Sequence, residues 1–241
     1  MTSRAFNKTL GTAFPQAINI WSLAALLIAA GVLLPIIAIL VLAFFPSDDI
    51  WSHLLATTLP RYLSTTLALM VCVGFGAACI GAGTAWLITR YRFWGVRSFE
   101  WLLLMPLAIP AYVGAYALVD LLEYAGPVQS ALRGVMGWTN AQDYWFFEIR
   151  SFGAASFVLT MALYPYVYLL SRAAFREQSG AVEEVAQSLG SHAFLRFWKI
   201  GLPLARPAIA AGTAIVMMET INDFGAVDYF AVQTLTTGIF S

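Results

Sequence analysis

The fold class is decided by WSLAALLIAAGVLLPIIAILVLAFF, the stretch Trp21–Phe45. It contains no charged residue, and an apolar run of about 18 residues or more is typical of a helix that crosses roughly 30 Å of hydrocarbon. The run is longer than the apolar core of about 7–15 residues in a secretory signal, and it lacks a clear small-residue cleavage site. We therefore interpret it as a retained membrane span and predict an all-α integral membrane protein.

The composition of the whole chain agrees with this prediction. Of the 241 residues, 60% are apolar and 11% are charged, against about 45–50% and about 25% in soluble domains. The formal net charge is zero and the basic residues form no single patch, so the charge does not indicate nucleic-acid binding. Cys72 and Cys79 lie about 10 Å apart along a helix, which is too far for a disulfide.

Further apolar runs follow the first one and predict a polytopic helical bundle of about five spans. The predicted spans are Trp21–Phe45, Leu63–Thr89, Phe99–Leu122, Phe152–Leu170 and Leu204–Phe230. Prolines inside spans are tolerated where neighbouring helices satisfy the freed backbone groups, so they indicate a packed bundle. The fifth span would emerge on the outer side, and we expect that at least one further helix is missing from this chain.

Basic residues set the predicted orientation. With a cytoplasmic amino terminus, ten of the thirteen basic residues lie inside, as the positive-inside rule requires. These residues are Arg4, Lys8, Arg90, Arg92, Arg97, Arg172, Arg176, Arg196, Lys199 and Arg206. We accordingly predict a cytoplasmic segment over residues 1–20, a transmembrane domain over 21–241 and a cytoplasmic loop over 172–203.

The second span carries two ridges of small residues with four-residue spacing, which predict close helix packing. The ridges are Gly74, Ala78, Ala82 and Ala77, Gly81, Ala85.

The cytoplasmic loop is predicted to form two short helices. Ser179 is placed to cap the first helix, and its apolar stripe consists of residues spaced i, i+3, i+4 and i+7. Gly190 is a natural stop for that helix, because glycine accepts a left-handed backbone. Ser191 is then expected to cap a second helix, which Pro203 ends. The stripe of the first helix is Val182, Val185, Ala186 and Leu189, and the second helix bears Phe194, Phe197 and Trp198.

Part of this loop follows a known pattern: Glu184-Val185-Ala186, three residues, Gly190, nine residues, Ile200, one residue and Leu202-Pro203. It resembles the EAA loop that marks the permease subunits of binding-protein-dependent ABC importers. The family has alanine at the position of Val185, and valine keeps the apolar stripe. The resemblance implies a bundle of the type I importer kind, in which these residues couple to a cytoplasmic ATPase. Without the pattern, an amphipathic helix on the membrane surface would be the alternative.

Three stretches are similar to the iron(III) permeases of that superfamily: residues 105–112, 164–169 and 222–230. The resemblance covers roughly residues 60–241. Those permeases have two homologous halves of six or so helices, which implies that this chain is one half, truncated or encoded alone. Permeases for thiamine, sulfate, polyamines and phosphonates carry similar stretches and stay as alternatives.

The resemblance also implies partners and a location. The partners are a dimer of cytoplasmic ABC ATPases, a periplasmic substrate-binding protein, a second permease half and membrane lipid. The location is the bacterial inner membrane, with several spans. The chain has no G-x-x-x-x-G-K-[ST] motif, so ATP is expected on the partner and no cofactor or enzymatic activity in this chain.

Two acids in the fifth span are candidates for a substrate path. Glu219 and Asp223 lie four residues apart, on one face of the predicted helix, and acids within a span are costly and usually functional. They would suit a cation path, although an acid near the interface needs no special function. Asp48, Asp49, Asp143 and Glu148 either face the docking protein or are simply solvated. His53 and His192 are predicted on opposite sides, so no metal site is expected.

Two other function classes compete with an importer subunit. A secondary transporter would bind its substrate near broken helices, and Pro106 and Pro110 are placed to break the third span. An intramembrane enzyme would need a catalytic motif such as H-E-x-x-H or G-x-S-x-G, and the sequence contains neither.

Overall fold

The computed structural model describes residues 20–44, 54–178 and 185–240, and the regular structure in these ranges is helical. The chain divides into two compact units, residues 1–54 and 55–241. In the first unit, helix α1 covers Ile20–Phe44 and contains Pro35. Its bounds agree with the first predicted span to within one residue at each end.

The second unit contains three long helices: α2 over Leu59–Arg90, α6 over Phe152–Glu177 and α8 over Leu202–Asn222. The shorter α-helices are α3 (Val96–Leu102), α4 (Ala111–Leu122), α5 (Pro127–Met136), α7 (Ala193–Arg196), α9 (Gly225–Tyr229) and α10 (Leu235–Phe240). Tighter or wider turns occupy Met105–Ala108 and Ala141–Asp143 (3₁₀) and Leu54–Thr58 and Phe197–Gly201 (π).

Within the described ranges, four helices are long and apolar enough to cross a membrane, and one bent pair raises the number to five. The prediction of about five spans in an all-α membrane protein is confirmed. The bent pair corrects the third predicted span, because Val96–Ala108 and Ala111–Met136 meet at 92°. A proline disfavours helical backbone at the residue before it, and Ile109, before Pro110, is extended at φ −113° and ψ 119°.

The fifth predicted span also needs correction, because α8 ends at Asn222 rather than continuing to Phe230. Asp223 leaves the helix with φ −69° and ψ 124°. Its Oδ1 accepts hydrogen bonds from the backbone N–H groups of Ala226 (2.9 Å) and Val227 (3.2 Å). Asp223 therefore starts the short helix α9 instead of extending α8.

Helices α2, α6 and α8 form the core through close backbone contact. A Cβ added to Gly81 of α2 would lie 2.7 Å from the Cβ of Val167 and 2.8 Å from the Tyr168 nitrogen in α6. A Cβ added to Gly212 of α8 would lie 2.8 Å from the Cα of the same Val167. The close packing predicted from small residues is therefore present, and α6 is held between two glycines at one level.

Candidate functional site

Of the predicted coupling loop, residues 172–203, the structure describes 172–178 and 185–203. The predicted start needs correction, because α6 continues to Glu177 instead of ending near Leu170. Ser179, Val182 and Glu184 lie outside the described residues. Residues 185–188 are helical, which agrees with the first of the two predicted loop helices.

Gly190 ends this first helix as predicted. Its φ of +75° lies in the left-handed region, which favours glycine. The Gly190 N–H donates to the Gln187 carbonyl at 2.9 Å, and the Ser191 N–H donates to the Ala186 carbonyl at 3.0 Å. These two bonds make a complete Schellman motif, which satisfies carbonyls that the helix end would leave unpaired.

The second loop helix begins differently from the prediction. Its N-cap is His192, whose Nδ1 accepts a hydrogen bond from the Leu195 N–H at 3.3 Å. Ser191 instead offers its backbone carbonyl to the Arg196 guanidinium. An imidazole nitrogen can take the capping role of a hydroxyl, because any acceptor of suitable reach can satisfy a first-turn N–H.

Pro203 does not end the second helix. The chain passes from α7 through the π turn Phe197–Gly201 directly into α8, and Pro203 lies in the first turn of α8. Proline is common in the first turn of a helix, where its fixed φ fits. Ile200, Leu202 and Pro203 are half-buried at this joint, so the end of the EAA pattern lies inside one continuous helical rod, Ala193–Asn222.

The loop presents large apolar side chains to its surroundings. We call the following four residues the loop surface, with the exposed fraction of each: Val185 59%, Leu189 80%, Phe194 70% and Trp198 52%. Ala186 of the same predicted stripe is buried. The Phe194 and Trp198 rings lie 6.1 Å apart between centroids, and exposed apolar side chains that form a patch are typical of a surface that docks with a partner.

An aromatic cluster anchors the loop to the core. The Trp86 ring of α2 lies 5.3 Å from the Phe175 ring of α6 and 5.4 Å from the Phe197 ring, measured between centroids. Gly201 packs so closely on Trp86 that an added Cβ would overlap the indole ring.

A polar bridge joins the same three helix ends. The Arg90 Nη2 donates to the Gln178 Oε1 at 2.9 Å, and the Gln178 Nε2 donates to the Gly201 carbonyl at 3.1 Å. Sequence reasoning missed both Gln178 and Gly201. The only signal for Gly201 was its place between Ile200 and Leu202, which the EAA pattern leaves open.

Glu100 fixes the first half of the broken span to α6 at this end. Its carboxylate forms ion pairs with Arg172 and, at 3.2 Å, with Arg176. The Arg172 and Glu100 side chains are only 16% and 24% exposed, so their pair is less screened than a surface pair.

The two predicted path acids line one pocket, although they do not share a helix. A cavity of about 280 Å³ is bordered by Glu219 at the end of α8 and by Asp223 just beyond it. The opposite wall comes from the break in the third span, including Pro110 and Tyr112, and from Tyr166 of α6. The break and the acids therefore meet, which the sequence did not predict.

No cluster of three or more His, Cys, Asp or Glu side chains that could hold a metal occurs within the described ranges. His192 serves as a helix cap, and His53 lies outside those ranges.

Of the predicted docking acids, Asp143 has a local structural role. Its Oδ2 accepts hydrogen bonds from the Thr139 and Asn140 N–H groups, both at 2.8 Å. These bonds hold the pKa of Asp143 below its ordinary value of 3.8. Glu148 is exposed, and Asp48 and Asp49 lie outside the described residues.

Comparisons with known proteins agree with this architecture. A family described as "Binding-protein-dependent transport system inner membrane component" matches residues 70–240. The chain is 32% identical over 178 residues to the Fe(3+)-transport system permease protein FbpB 2 of Haemophilus influenzae, which covers 74% of this chain and 30% of that protein.

Relatives with other printed substrates are nearly as similar. The sulfate transport system permease protein CysT of Salmonella typhimurium is 31% identical, over 70% of this chain and 58% of that protein. The molybdenum transport system permease protein ModB of Mycobacterium tuberculosis is 28% identical, over 83% of this chain and 72% of that protein. The chain thus spans less than two thirds of the iron and sulfate relatives.

A solved structure shows the same fold. It is the crystal structure of a bacterial ABC transporter involved in the import of the acidic polysaccharide alginate. The TM-score is 0.67 at 18% identity, over 91% of this chain and 83% of that chain.

Proposed function

We propose that this chain, which belongs to the family of binding-protein-dependent transport system inner membrane components, is the transmembrane permease subunit of an ATP-driven ABC importer. Its several apolar helices make it a multi-pass membrane protein. The proposed assembly adds a dimer of cytoplasmic ABC ATPases, a periplasmic substrate-binding protein and a second permease half. The proposed location is the bacterial inner membrane, with the amino terminus in the cytoplasm.

The observation that carries the proposal is the loop surface, displayed beside the left-handed turn at Gly190. An amphipathic helix that lays an apolar face into a groove is a common mode of docking. We assign the coupling contact to the motif segment: Glu184, Val185, Ala186, Gly190, Ile200, Leu202 and Pro203. ATP would bind to the ATPase partner, whose closure would move this segment and switch the bundle from inward- to outward-facing.

For the cargo we propose iron(III), handed over by the binding protein. A pocket bordered by Glu219 and Asp223 would attract a cation and repel an oxyanion such as sulfate or molybdate. The similarity to a permease named for Fe(3+) supports the same cargo. Sulfate, thiamine, polyamine and phosphonate are the alternatives, and sulfate has a relative of almost equal identity.

A secondary transporter is the second candidate. The observation that favours it is the broken third span, whose break borders the acidic pocket, as in transporters that bind at discontinuous helices. Uptake by proteoliposomes that contain the permease and an ion gradient, but no ATPase, would support this candidate over an importer subunit.

The docking proposal is tested by co-purification of the cognate ATPase with Leu189→Asp. Leu189 is 80% exposed, so the substitution leaves the core intact while placing a charge on the loop surface. We expect the variant to insert into the membrane normally. The amount of ATPase that co-purifies with it should fall about tenfold relative to wild type, since an uncompensated charge in an apolar contact is costly.

The matched control is Trp145→Asp, because Trp145 is 86% exposed and, like Leu189, lies between candidate spans and not within one. It should retain the ATPase as wild type does. Equal retention by both variants would contradict the docking proposal.

A further inference from the structure

We infer that Gln178 is a positioning residue that locks the coupling loop to α2 and α6, so that movement of the loop surface is passed into the bundle instead of being absorbed at the loop. This inference rests on the proposed function and deepens it. It concerns the basal junction, which we define as Trp86, Arg90, Gln178, Phe197 and Gly201.

Three helix ends meet at the basal junction. Arg90 is the last residue of α2, Gln178 directly follows α6, and Gly201 directly precedes α8. Gln178 joins all three ends by two hydrogen bonds, one accepted from Arg90 at 2.9 Å and one donated to the Gly201 carbonyl at 3.1 Å. Since the Gln178 amide uses its oxygen for one neighbour and its nitrogen for the other, no other side chain of the junction can replace it.

An apolar layer lies beside this polar bridge. Gly201 rests against the Trp86 ring, and the Arg90 guanidinium lies 5.0 Å from the centroid of the same ring. Trp86 is only 6% exposed. Gly201 is therefore fixed from two sides. Gln178 binds its carbonyl, and Trp86 packs against its Cα.

The loop surface is connected to this junction through ring contacts. Phe194 lies 6.1 Å from Trp198, and Trp198 lies 5.6 Å from Phe197. Phe197 in turn lies 5.4 Å from Trp86, which lies 5.3 Å from Phe175. A continuous row of rings therefore leads from two exposed docking side chains to the buried interior of α6.

The π turn Phe197–Gly201 makes the lock necessary. A π turn closes wider rings than an α-helix and is a common place for a helix to adjust. Without Gln178, a push on the loop surface would be taken up by the π turn. With the Gly201 carbonyl held, the same push reaches Trp86 and Phe175.

The test uses the reconstituted complex of permease, ATPase and binding protein, with Gln178→Glu as the main variant. Glutamate still accepts from Arg90 but cannot donate to the Gly201 carbonyl, so it breaks one side of the bridge only. The matched control is the exposed neighbour Glu177→Gln. A second variant, Phe197→Leu, interrupts the ring row with little change in volume, in case Gln178→Glu fails to fold.

We expect both test variants to retain the ATPase as wild type does. Transport per ATP hydrolysed should fall about tenfold in Gln178→Glu, as the loss of a part-buried hydrogen bond permits, and should also fall in Phe197→Leu, which loses the ring contact with Trp86. Glu177→Gln should leave this ratio unchanged. A ratio in both test variants equal to that of Glu177→Gln overturns the inference, and so does loss of the ATPase from Gln178→Glu. Failure of wild type to hold the ATPase would instead overturn the proposed function.

Discussion

Glycine at position 190 could be required by crowding around its Cα or by its backbone angle φ. An added Cβ would meet no atom of the described residues within 4 Å, so crowding by them does not require glycine there. The φ of +75° at Gly190 does favour glycine, because a left-handed backbone conformation costs ordinary residues about 1–2 kcal/mol. We expect Gly190→Val to weaken binding of the ATPase by roughly tenfold, as that strain implies, and we would measure the dissociation constant with the reconstituted permease.

The control for Gly190 is Gly190→Asn, since asparagine tolerates left-handed backbone better than other residues with a side chain. It should bind the ATPase much as wild type does. If valine and asparagine weaken binding equally, the backbone angle is not the reason for the glycine.

Asp143 allows a prediction about pH. Its two backbone hydrogen bonds lower its pKa below 3.8, so its contribution to the order of the Thr139–Tyr144 loop is fully present above 3.8. That contribution is lost as the pH falls through the lower pKa of the folded protein. At pH 7 we expect faster amide exchange at Thr139 and Asn140 in Asp143→Asn than in wild type.

The difference in exchange should shrink as the pH falls through the pKa of Asp143 in the folded protein, which lies below 3.8, because wild type then also carries an uncharged side chain. Glu148→Gln, a change at another exposed acid, is the control and should leave exchange at Thr139 unaltered at every pH. A difference between Asp143→Asn and wild type that persists unchanged in acid would contradict this account.

Among the elements, α2 and α6 make a contact that leaves no room for a larger side chain at Gly81. A Cβ at Gly81 would approach Tyr168 N and Tyr164 O in the α6 backbone to within 2.9 Å, and backbone cannot rotate away. We expect Gly81→Ala to reduce the free energy of unfolding by about 1–3 kcal/mol, the usual cost of overpacking. Thermal unfolding in detergent would measure it.

Gly83→Ala provides the comparison on the same helix, because an added Cβ there meets nothing within 4 Å in the part of the chain that the structure describes. Its stability should equal or slightly exceed that of wild type, since alanine is the better helix former. If both variants lose the same stability, helix propensity rather than packing explains the loss.

The same elements show what sequence patterns can predict. Long apolar runs located four spans, since the bilayer fixes their length. The third span bends by 92°, and hydropathy cannot see the bend because both halves are apolar. The fifth span stops at Asn222 because the Asp223 carboxylate caps the next helix, a choice that depends on local geometry and not on hydropathy.

Within the loop, too, local features could be predicted from the sequence and long-range contacts could not. Gly190 was predictable because its requirement is local: a helix end that needs a left-handed residue. Gln178 and Gly201 were not, because their importance comes from Arg90, 88 positions before Gln178, and from Trp86, 115 positions before Gly201. The cap at His192 was missed because sequence statistics rank hydroxyl and carboxamide side chains first.

At the scale of the second unit, the coupling loop and the acidic pocket lie at opposite ends of one helix. The basal junction holds the start of α8 at Gly201, and Glu219 and Asp223 lie at its far end. A helix of 21 residues is about 30 Å long. In the proposed mechanism, a signal from the loop to the pocket would travel along α8 itself or along the helices packed on it, α2 and α6. Gly212 of α8 fixes α8 against Val167 of α6.

The two acids at the far end of α8 should behave differently when neutralised. The Asp223 carboxylate is already used by the Ala226 and Val227 N–H groups, so Asp223→Ala should lower the free energy of unfolding by about 1 kcal/mol, as a lost cap does. Asp223→Asn keeps an acceptor oxygen and should restore most of that stability. The Glu219 side chain has no hydrogen bond or ion pair within the described part of the chain and remains available to a cation in the pocket.

The variant Glu219→Gln therefore distinguishes a role of Glu219 in cargo transport from a role in the stability of the fold. We expect the melting temperature of the variant to match that of wild type. Uptake of iron(III) should fall by roughly tenfold, since an acid within a span is costly and usually functional. ATP hydrolysis stimulated by the binding protein should persist, since Glu219 lies far from the loop surface. Loss of thermal stability would make Glu219 structural, and unchanged iron uptake would remove it from the path. Uptake of sulfate by wild type would show that the acidic pocket does not select for cations.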